Sequence, residues 1–532
     1  MPWHKARGHL ALTEIPAQDQ NWMLRMKTFS ALIVFLLVSS ASAQTTTAKR
    51  NVEYPIHRKN LVLKDSLQSF NRSLKLSATE EAVNLRLIAL RNQMIAYYDS
   101  IHFFPPSRSF YKSRDYIFTT SLFNILKQMP KGGILHSHPS AGVSYRWVIK
   151  QAMKEPGCHV YWQQDNQQFL KGQIHFYKPG EAPRGFYPIH LLNDSISNFT
   201  NQLYELLTFD ETLKKDSVDV WREFGKRFVR IGGFVSYKPV YEKYLASMFD
   251  TLIADGIQHV ELREHLGSPM YDLQHPEGVI EPDSIVYRFQ RAIEKVQAKE
   301  PAFSAILIYT NIRFQPVDVI RKDFIAAFAL RKKYPSIVKG YDLVAHEDAG
   351  NPTDYYRRVW LMRDSLGKAY SVNMPLYFHN GESNWQHVQN LYDAVLLRSP
   401  RIGHGFNLSF FPSVEEQVKK QNICIEVCPL SNQILGYIED LRMHPAHSWI
   451  RHGIPISISP DDQGIFGYTG VTPDFWSIFL AWELDLRDLK KLCMNSILYS
   501  SLTKKDKEKA LAVWEKKWKQ FIENFKLKST FM

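Results

Sequence analysis

An apolar run that ends in two histidines, Gly132-Gly133-Ile134-Leu135-His136-Ser137-His138, sets the theme for the rest of the chain. On a β-strand alternate side chains share a face, so His136 and His138 point the same way, about 6 to 7 Å apart along the backbone. That spacing suits two ligands of one metal ion. An isolated His-x-His also occurs at the end of an ordinary strand, so the other strands must decide between the two interpretations.

Eight stretches of the sequence share this form: a short apolar run rich in β-formers, then a turn, then an amphipathic helix. They are Ile134 to His138, His259 to Arg263, Ala305 to Thr310, Gly340 to Ala345, Leu376 to Gly381, Arg401 to Gly405, Cys424 to Pro429 and Ile456 to Asp461. After the first interval the runs recur every 20 to 45 residues or so, about the length of one strand-helix unit. The pattern predicts an α/β fold, a parallel (β/α)8 TIM barrel.

The first interval does not fit a simple barrel. About 120 residues separate His138 from His259, which is too long for one crossover. Turn-rich segments between about 155 and 215 therefore predict an inserted subdomain after the first strand.

The residues before the barrel are predicted to be helical. Ser77-Ala78-Thr79-Glu80 has the form of a capping box ahead of an apolar stripe, and a second helix is expected near Arg114 to Gln128. We therefore predict an N-terminal helical domain at residues 44–128 and the barrel at residues 129–532.

Residues 1–43 have the features of a signal peptide. Basic residues precede an apolar core from Phe29 to Val38, and the small residues that follow end at Ala43 as a signal-peptidase site does. The expected start of translation is Met23 or Met26. We expect a secreted or periplasmic product, because no other run approaches the roughly 20 apolar residues of a membrane span.

The bulk composition is that of a folded globular protein, with 45% hydrophobic residues in 532. The net charge is +13, but much of the excess lies in scattered lysines and in Lys504 to Lys528, where a solvated helix face accounts for it. We predict no specific nucleic-acid partner, and leave a polyanionic glycan open. Of the four cysteines, Cys424 and Cys428 lie in one predicted run, roughly 13 Å apart, so no disulfide framework is expected.

Four of the eight runs end in residues that bind metals. They are His136 and His138 on the first run, His379 on the fifth, His404 on the sixth, and Asp461 with Asp462 on the eighth. The carboxyl ends of barrel strands converge on one mouth, so these residues are expected to form a metal-dependent active site. Histidines and a carboxylate without paired thiolates fit one catalytic zinc that keeps a position for water.

Other residues near these ends are candidates for the chemistry. Glu382, three residues after His379, is expected to act as a proton donor with a raised pKa. His404 is either a fourth nitrogen ligand or a base that orients the nucleophile, and the second interpretation is favoured. Asp461 and Asp462 are expected on opposite sides of their strand, so one can bind metal while the other turns to the substrate.

With these residues in place, the sequence resembles the adenosine deaminases, and within them the secreted branch called adenosine deaminase-related growth factors. The resemblance covers nearly the whole mature chain. It rests on six motifs in this order: Met129 to His138, Gly340 to Asp348, Phe378-His379-Asn380-Gly381-Glu382, Arg401 to Phe406, Glu426 to Gln433, and Ser459-Pro460-Asp461-Asp462.

The resemblance implies a role for each of these residues. It implies zinc on His136, His138, His379 and Asp461, with Glu382 protonating purine N1 and His404 positioning the hydroxide that attacks C6. It implies that the substrate is further bound by Asp462 at N7, by the backbone N–H of Ala345 at N3, and by Trp221. The implied reaction converts adenosine and 2'-deoxyadenosine to inosine or its deoxy form and ammonia, in a homodimer joined through its N-terminal helices.

The chain departs from the family pattern where ribose would be held. Pro139 stands where the family has aspartate, and Ile312 where it has histidine near the end of the third strand. The preferred 6-aminopurine therefore stays open between adenosine and a relative of it. A secreted, growth-factor-like protein that has lost activity is the alternative from another class, and the intact predicted ligands argue against it.

Overall fold

The computed structural model describes residues 53–213 and 219–528. The predicted signal peptide, its cleavage site after Ala43 and both candidate starts lie outside these ranges. The chain divides after Leu67 into a short N-terminal unit and a large one, Gln68–Met532. Of the short unit, the structure describes part of a helix, α1, which runs over residues 53–68.

Eight parallel strands form the centre of the large unit. They are β1 (Gly132–Ser137), β5 (Ile257–Glu264), β6 (Ser304–Ile312), β7 (Val338–Val344), β8 (His379–Asn380), β9 (Arg401–His404), β10 (Cys424–Val427) and β11 (Ile456–Ile458). Hydrogen bonding orders them as β1-β5-β6-β7 and β8-β9-β10-β11. Parallel bridges at Tyr341 with Leu376 and at Ser137 with Asp461 join the edges of the two sheets. All eight predicted runs are thus strands, and the predicted α/β barrel architecture is confirmed.

Helices surround the strands and extend the chain at both ends. They are α2 (Ala78–Ser100), α3 (Phe110–Phe118), α4 (Ser121–Gln128), α5 (Tyr145–Ala152), α6 (Ile189–Ser195), α7 (Phe199–Leu207), α8 (Val220–Val235), α9 (Lys238–Ala254), α10 (Pro282–Gln297), α11 (Val317–Lys333), α12 (Arg357–Trp360), α13 (Arg363–Tyr370), α14 (Asn390–Leu396), α15 (Pro412–Lys420), α16 (Pro429–Ile434), α17 (Ala446–His452), α18 (Thr472–Ala481), α19 (Leu486–Leu498) and α20 (Lys504–Lys528). Short 3-10 helices occur at Pro105–Ser107, Pro139–Ala141, Glu211–Leu213, Thr353–Tyr356, Leu408–Phe410 and Leu441–Met443. Within the described ranges, no helix is long and apolar enough to cross a membrane.

The long first interval contains a small antiparallel sheet. Its strands are β2 (Cys158–Tyr161), β3 (Ile174–Phe176) and β4 (Phe186–Pro188), in the order β3-β2-β4. The buried Val160 and Ile174 pair in this sheet, and helices α6 and α7 follow it. The sheet lies where the sequence predicts an inserted subdomain. Its strands and the helices α6 and α7 account for the residues that exceed one crossover.

The helices before the barrel pack on the last helices of the chain. Ser77 caps α2 in a capping box, because its hydroxyl accepts from the Glu80 backbone and the Glu80 side chain accepts from the Ser77 backbone. Glu80 also accepts from Trp518 Nε1 at 2.7 Å in α20. The single helix expected near Arg114 to Gln128 is instead two, α3 and α4, because Thr120 caps a new helix by accepting from Phe123 N.

Three strand ends carry residues in the left-handed backbone region, with φ 84° at Ala345, 64° at His404 and 65° at Asp461. This conformation costs about 1–2 kcal/mol for a residue with a Cβ, and it turns each strand end sharply at the mouth of the barrel. The alternation expected for Asp461 and Asp462 is therefore wrong. Strand β11 ends at Ile458, and both carboxylates line the same cavity.

Candidate active site

Four predicted ligands come together at the carboxyl end of the barrel. The nitrogens of His136, His138 and His379 and one oxygen of Asp461 all lie within 4.8 Å of one another. Asp461 Oδ1 is 3.4 Å from His136 Nε2 and 3.3 Å from His138 Nε2. Strands β1, β8 and the segment after β11 supply the four side chains, so residues more than 300 apart in the sequence share one point.

The unpaired atoms at this point fit a metal ion. His136 Nε2 and Asp461 Oδ1 are buried and have no hydrogen-bond partner among the described residues, which is costly unless something else binds them. A second group, in which His404 and Cys428 replace His138 and His379, is also compact. Burial raises the pKa of the Cys428 thiol in that group, and the set of three histidines and one carboxylate is the one that matches a catalytic zinc site.

Two of the ligand histidines are oriented by buried carboxylates. His136 Nδ1 lies 3.0 Å from Glu426 Oε2, and His379 Nδ1 lies 2.8 Å from Asp342 Oδ2. A carboxylate opposite Nδ1 holds the proton on that nitrogen and leaves Nε2 free to bind metal. Both imidazoles therefore present the nitrogen that faces the shared point.

A layer of buried charges below the ligands holds these carboxylates, and the sequence reasoning missed it. Arg263 Nε donates to Asp342 at 2.7 Å and its Nη2 donates to Glu426. Arg401 joins Glu426 to Glu261, at 2.5 and 2.6 Å. The sequence did contain a sign of this layer. Glu261 and Arg263 alternate inside a buried strand, and such alternate residues share a face, here the interior of the barrel.

Glu382 lies beside the candidate ligands and is buried. Burial, followed by the nearby Asp461 and Glu347, raises its pKa well above the ordinary value for a glutamate. Glu347, which sequence reasoning did not single out, orients this segment because its carboxylate accepts from the backbone N–H of Gly381 at 3.0 Å and of Glu382 at 2.8 Å. Glu382 is thus held in place, and its surroundings favour the protonated form that a proton donor needs.

His404 faces the same point from the end of β9. Its Nε2 is 3.6 Å from Glu382 Oε1 and 3.8 Å from Asp461 Oδ2, and has no hydrogen-bond partner in the described chain. Burial and the neighbouring His136 lower its pKa well below the usual value, so the ring is neutral. Gly403, the residue before His404, lets the His136 ring pack close to strand β9, since a Cβ at this position would lie 3.0 Å from that ring.

Asp462 is buried next to Asp461, and its Oδ1 has no partner within the described residues. Burial and the adjacent Asp461 raise its pKa well above the ordinary value for an aspartate. Burial and Asp461 thus both favour the protonated form of this side chain, which faces the cavity.

A cavity of about 730 Å³ extends from the candidate ligands and is bordered by helices α8 and α9. The predicted substrate contacts Asp462, Ala345 and Trp221 all line it. Pro139 and Ile312, which stand where the family has ribose contacts, line it as well. Trp221 is fixed there by a hydrogen bond from Nε1 to Tyr437 Oη at 3.0 Å and by stacking on His346, with ring centroids 4.5 Å apart.

Glu264 and His265 form a polar part of the cavity wall that the sequence analysis did not identify. Glu264 accepts from Tyr241 Oη at 2.9 Å, and burial raises its pKa to about 7. Glu264 is the last residue of β5 and His265 follows it, and β5 lies between the strands β1 and β6 that end near Pro139 and Ile312. A carboxylate at the carboxyl end of a barrel strand was the signal that could have found them.

Known proteins resemble this chain over most of its length. A family model described as "Adenosine deaminase" matches residues 217–516, and one described as "Adenosine/AMP deaminase N-terminal" matches residues 31–126. "Adenosine deaminase 2" of Dictyostelium discoideum is 33% identical over 483 residues, which cover 88% of this chain and 87% of that protein. "Adenosine deaminase 2" of Homo sapiens is 33% identical over 485 residues, covering 87% and 92%.

A solved structure supports the fold independently. The adenine deaminase of Arthrobacter aurescens superposes with a TM-score of 0.52 at 17% identity and covers 74% of this chain and 99% of its own. At that identity the likeness concerns the barrel architecture alone.

Proposed function

The chain belongs to the adenosine deaminase family of hydrolases, and on that premise we propose that it deaminates adenosine and 2'-deoxyadenosine at a site with one zinc ion. The observation that carries the proposal is the convergence of three histidines and Asp461 within 4.8 Å, beside the buried Glu382. This set combines metal ligands with a proton donor in one cavity. An inactive signalling protein would have no need to retain both.

The proposed zinc ligands are His136, His138, His379 and Asp461. When bound there, zinc lowers the pKa of a water molecule toward neutrality and so supplies a nucleophile. Asp342 and Glu426 keep His379 and His136 in the ligand tautomer.

In the proposed reaction Glu382 gives its proton to purine N1, which makes C6 electrophilic. The oxygen of the attacking water bonds to C6 and the C6–N6 bond breaks. One proton of the water completes the departing ammonia and the other restores Glu382. Inosine keeps the proton on N1, so the atoms balance.

Three further groups are proposed to hold the purine. Asp462 is assigned to N7 as a hydrogen-bond donor, a role that its raised pKa favours. The backbone N–H of Ala345 is assigned to N3, and Trp221 covers the cavity from helix α8. These assignments follow from the family resemblance and from the position of each residue in the cavity wall.

A different 6-aminopurine is the second candidate substrate, and the cavity wall supports it. Pro139 and Ile312 are apolar at the positions where the family has an aspartate and a histidine, and the nearby Phe314 also lines the cavity. Glu264 and His265 are charged or titratable groups of this wall, together with the hydroxyls of Ser140, Ser268 and Thr310. A site without the usual hydroxyl partners discriminates less strongly for ribose.

We infer export and dimerisation from the N-terminal part of the chain, from its signal-peptide pattern and from helix α1. Residues 1–43 have the signal-peptide pattern, and cleavage after Ala43 is expected to leave Gln44 as the first residue of a secreted or periplasmic protein. The N-terminal helices are the proposed dimer contact, because α1 carries exposed apolar side chains, among them Leu63 and Leu67. N-terminal sequencing of the exported protein tests the cleavage site.

The decisive experiment measures ammonia release by the zinc-loaded mature protein from adenosine, 2'-deoxyadenosine, adenine and AMP. We expect turnover of at least one nucleoside, with Glu382→Gln lowering kcat by about 10²–10⁴-fold, as for loss of a general acid. Glu416→Gln, an exposed site on α15, is the matched control and should not change kcat.

Two results would contradict the proposal. Absence of turnover on every 6-aminopurine would remove the enzymatic assignment. Loss of zinc in His136→Ala without loss of activity would remove the metal from the mechanism. Turnover of adenine faster than of adenosine would instead select the second candidate substrate.

A further inference from the structure

His404 has two ring nitrogens with different surroundings. Nε2 faces the candidate ligands and has no hydrogen-bond partner in the described chain, whereas Nδ1 faces Asn432. In a neutral imidazole only one nitrogen carries a proton, and the partner of the other nitrogen determines which one. The role of His404 therefore depends on what Asn432 offers to Nδ1.

A buried chain of hydrogen bonds leads from the protein backbone to His404. The Ala446 N–H donates to His444 Nδ1 at 3.1 Å, His444 Nε2 lies 3.1 Å from Asn432 Oδ1, and Asn432 Nδ2 lies 3.3 Å from His404 Nδ1. All three side chains are buried. Water therefore does not compete with these contacts.

The direction of each hydrogen bond follows from the first. A backbone N–H can only donate, so His444 Nδ1 is the unprotonated nitrogen of that ring and Nε2 carries the hydrogen. Burial lowers the pKa of His444 to about 3, which agrees with a neutral ring. His444 then donates to Asn432 Oδ1, and this orients the amide so that Asn432 Nδ2 donates to His404 Nδ1.

The same reasoning separates His404 from the zinc-ligand histidines. His136 and His379 have carboxylates opposite Nδ1, at 3.0 and 2.8 Å, and these accept a hydrogen bond and leave Nε2 bare. His404 has an amide donor in that place, which puts the hydrogen on Nε2. A protonated Nε2 is neither a metal ligand nor a proton acceptor.

We propose that Asn432 and His444 are positioning residues that hold His404 as the Nε2–H tautomer, so that His404 donates a hydrogen bond into the active site. This inference rests on the proposed deamination for its catalytic meaning. His404 steadies the oxygen of the attacking water by donating to it, and the proton that the water releases goes to a carboxylate. Of the roles considered from the sequence, the Nε2–H tautomer excludes the fourth nitrogen ligand and the base, and it keeps the orientation of the nucleophile.

The first test reads the tautomer in the unmodified protein and uses a variant only to assign signals. Zinc-loaded protein labelled with ¹⁵N at histidine is examined by two-bond ¹H–¹⁵N correlation, and the His404 signals are assigned by their loss in His404→Gln. We expect Nδ1 at the shift of an unprotonated ring nitrogen and Nε2 at that of a protonated one. A proton on Nδ1, a proton on both nitrogens, or a metal-bound Nε2 would overturn the inference.

The second test reverses the donor. Asn432→Asp keeps the shape of the side chain but places an acceptor opposite Nδ1, as in the zinc-ligand histidines. We expect the His404 proton to move to Nδ1 and kcat to fall by about 10- to 100-fold, the usual effect of a misplaced supporting partner, with little change in KM. Unchanged His404 signals together with unchanged kcat would overturn the proposal.

Asn495→Asp is the matched control, because Asn495 is equally buried and donates to Ile456 O at 2.9 Å outside this chain of bonds. It measures the general effect of a new buried carboxylate and should leave the His404 signals in place. Failure of deamination with the Nε2–H tautomer present would contradict the proposed function and not the tautomer. The reverse result would contradict the tautomer alone.

Discussion

Single residues with an unusual backbone conformation help to shape the site, and they are Ala345, His404 and Asp461. Each holds a left-handed backbone conformation at a strand end, with φ between 64° and 84°. Such residues store strain of about 1–3 kcal/mol each, and they concentrate at functional sites where the surrounding structure holds them. At His404 and Asp461 the strained turn directs a side chain toward the shared point, which a regular strand would not do.

Asp342 is expected to matter for zinc although it does not face the metal position. Asp342→Asn replaces the carboxylate that accepts from His379 Nδ1 by a neutral amide, a weaker acceptor, so zinc affinity should fall by about 10- to 100-fold. Competition against a chelating dye measures the change. Asp364→Asn is the control, since that side chain is 89% exposed, and equal affinities for both variants would contradict the prediction.

Glu264 is expected to make stability depend on pH. Its pKa is raised to about 7 by burial, so the folded state holds a proton that the unfolded chain releases near its ordinary value. Stability is therefore complete below about pH 4.3 and is lost as pH rises through 7. Relative to Glu264→Gln, the wild type should lose about 2.5 kcal/mol between pH 5 and pH 8.

Urea unfolding of both proteins at the two pH values measures the Glu264 difference. Glu277→Gln, an exposed residue, should show the pH dependence of the wild type. If Glu264→Gln does so as well, the prediction is wrong.

The residues to which we assign direct roles were easier to find in the sequence than those that contact and orient them. His136, His138, His379, Asp461 and Glu382 stand at ends of apolar runs, where the pattern marks them. Arg263, Asp342 and Glu426 lie inside buried strands, and nothing in a linear pattern says which buried charges meet. Their partners are set by the order of strands around the barrel.

At the scale of elements, helix α2 shows local sequence and tertiary packing acting together. The capping box at Ser77 and Glu80 is visible in the sequence and is present in the structure. The additional bonds of Glu80 to Lys490 and Trp518 depend on the last helices of the chain.

Ser77→Ala should weaken the first turn of α2 by about 1 kcal/mol, because one backbone N–H loses its acceptor. Hydrogen exchange of the amides at Glu80 and Glu81 should become about fivefold faster, as that free energy implies. Ser100→Ala, at the exposed other end of the helix, is the control. Equal exchange in the two variants would contradict the role of the cap.

The elements also show where pattern reasoning failed. Eight apolar runs predicted eight strands, because buried parallel strands read as continuous apolar stretches. The prediction that Asp461 and Asp462 lie on opposite sides of a strand was wrong, because the strand ends at Ile458, before both residues. The break between α3 and α4 was missed because a capping threonine looks like any other polar residue of a helix.

At the scale of the whole molecule, helix α1 has a stripe of exposed apolar side chains. Ile56, Leu63 and Leu67 fall on one stripe of this helix and are each more than half exposed. A helix of this length is marginal in water without packing. The stripe therefore supports the proposed dimer contact.

We expect the mature protein to have the mass of two chains by light scattering. The double variant Leu63→Glu with Leu67→Glu should shift it to one chain, because charges replace the apolar stripe. Leu396→Glu, at a side chain that is 78% exposed at the end of α14, should stay dimeric. A dimer that survives the double variant would place the contact elsewhere.

The sequence by itself determined the barrel, the order of its strands along the chain and the residue types at their ends. Apolar periodicity and turn residues act locally, and the parallel barrel brings all the strand ends to one mouth. Only the tertiary structure decided which nitrogen of each histidine faces that mouth, because this depends on partners far away in the chain. Glu426 lies 290 positions from His136, and it is such contacts that distinguish a zinc ligand from the hydrogen-bond donor that we assign to His404.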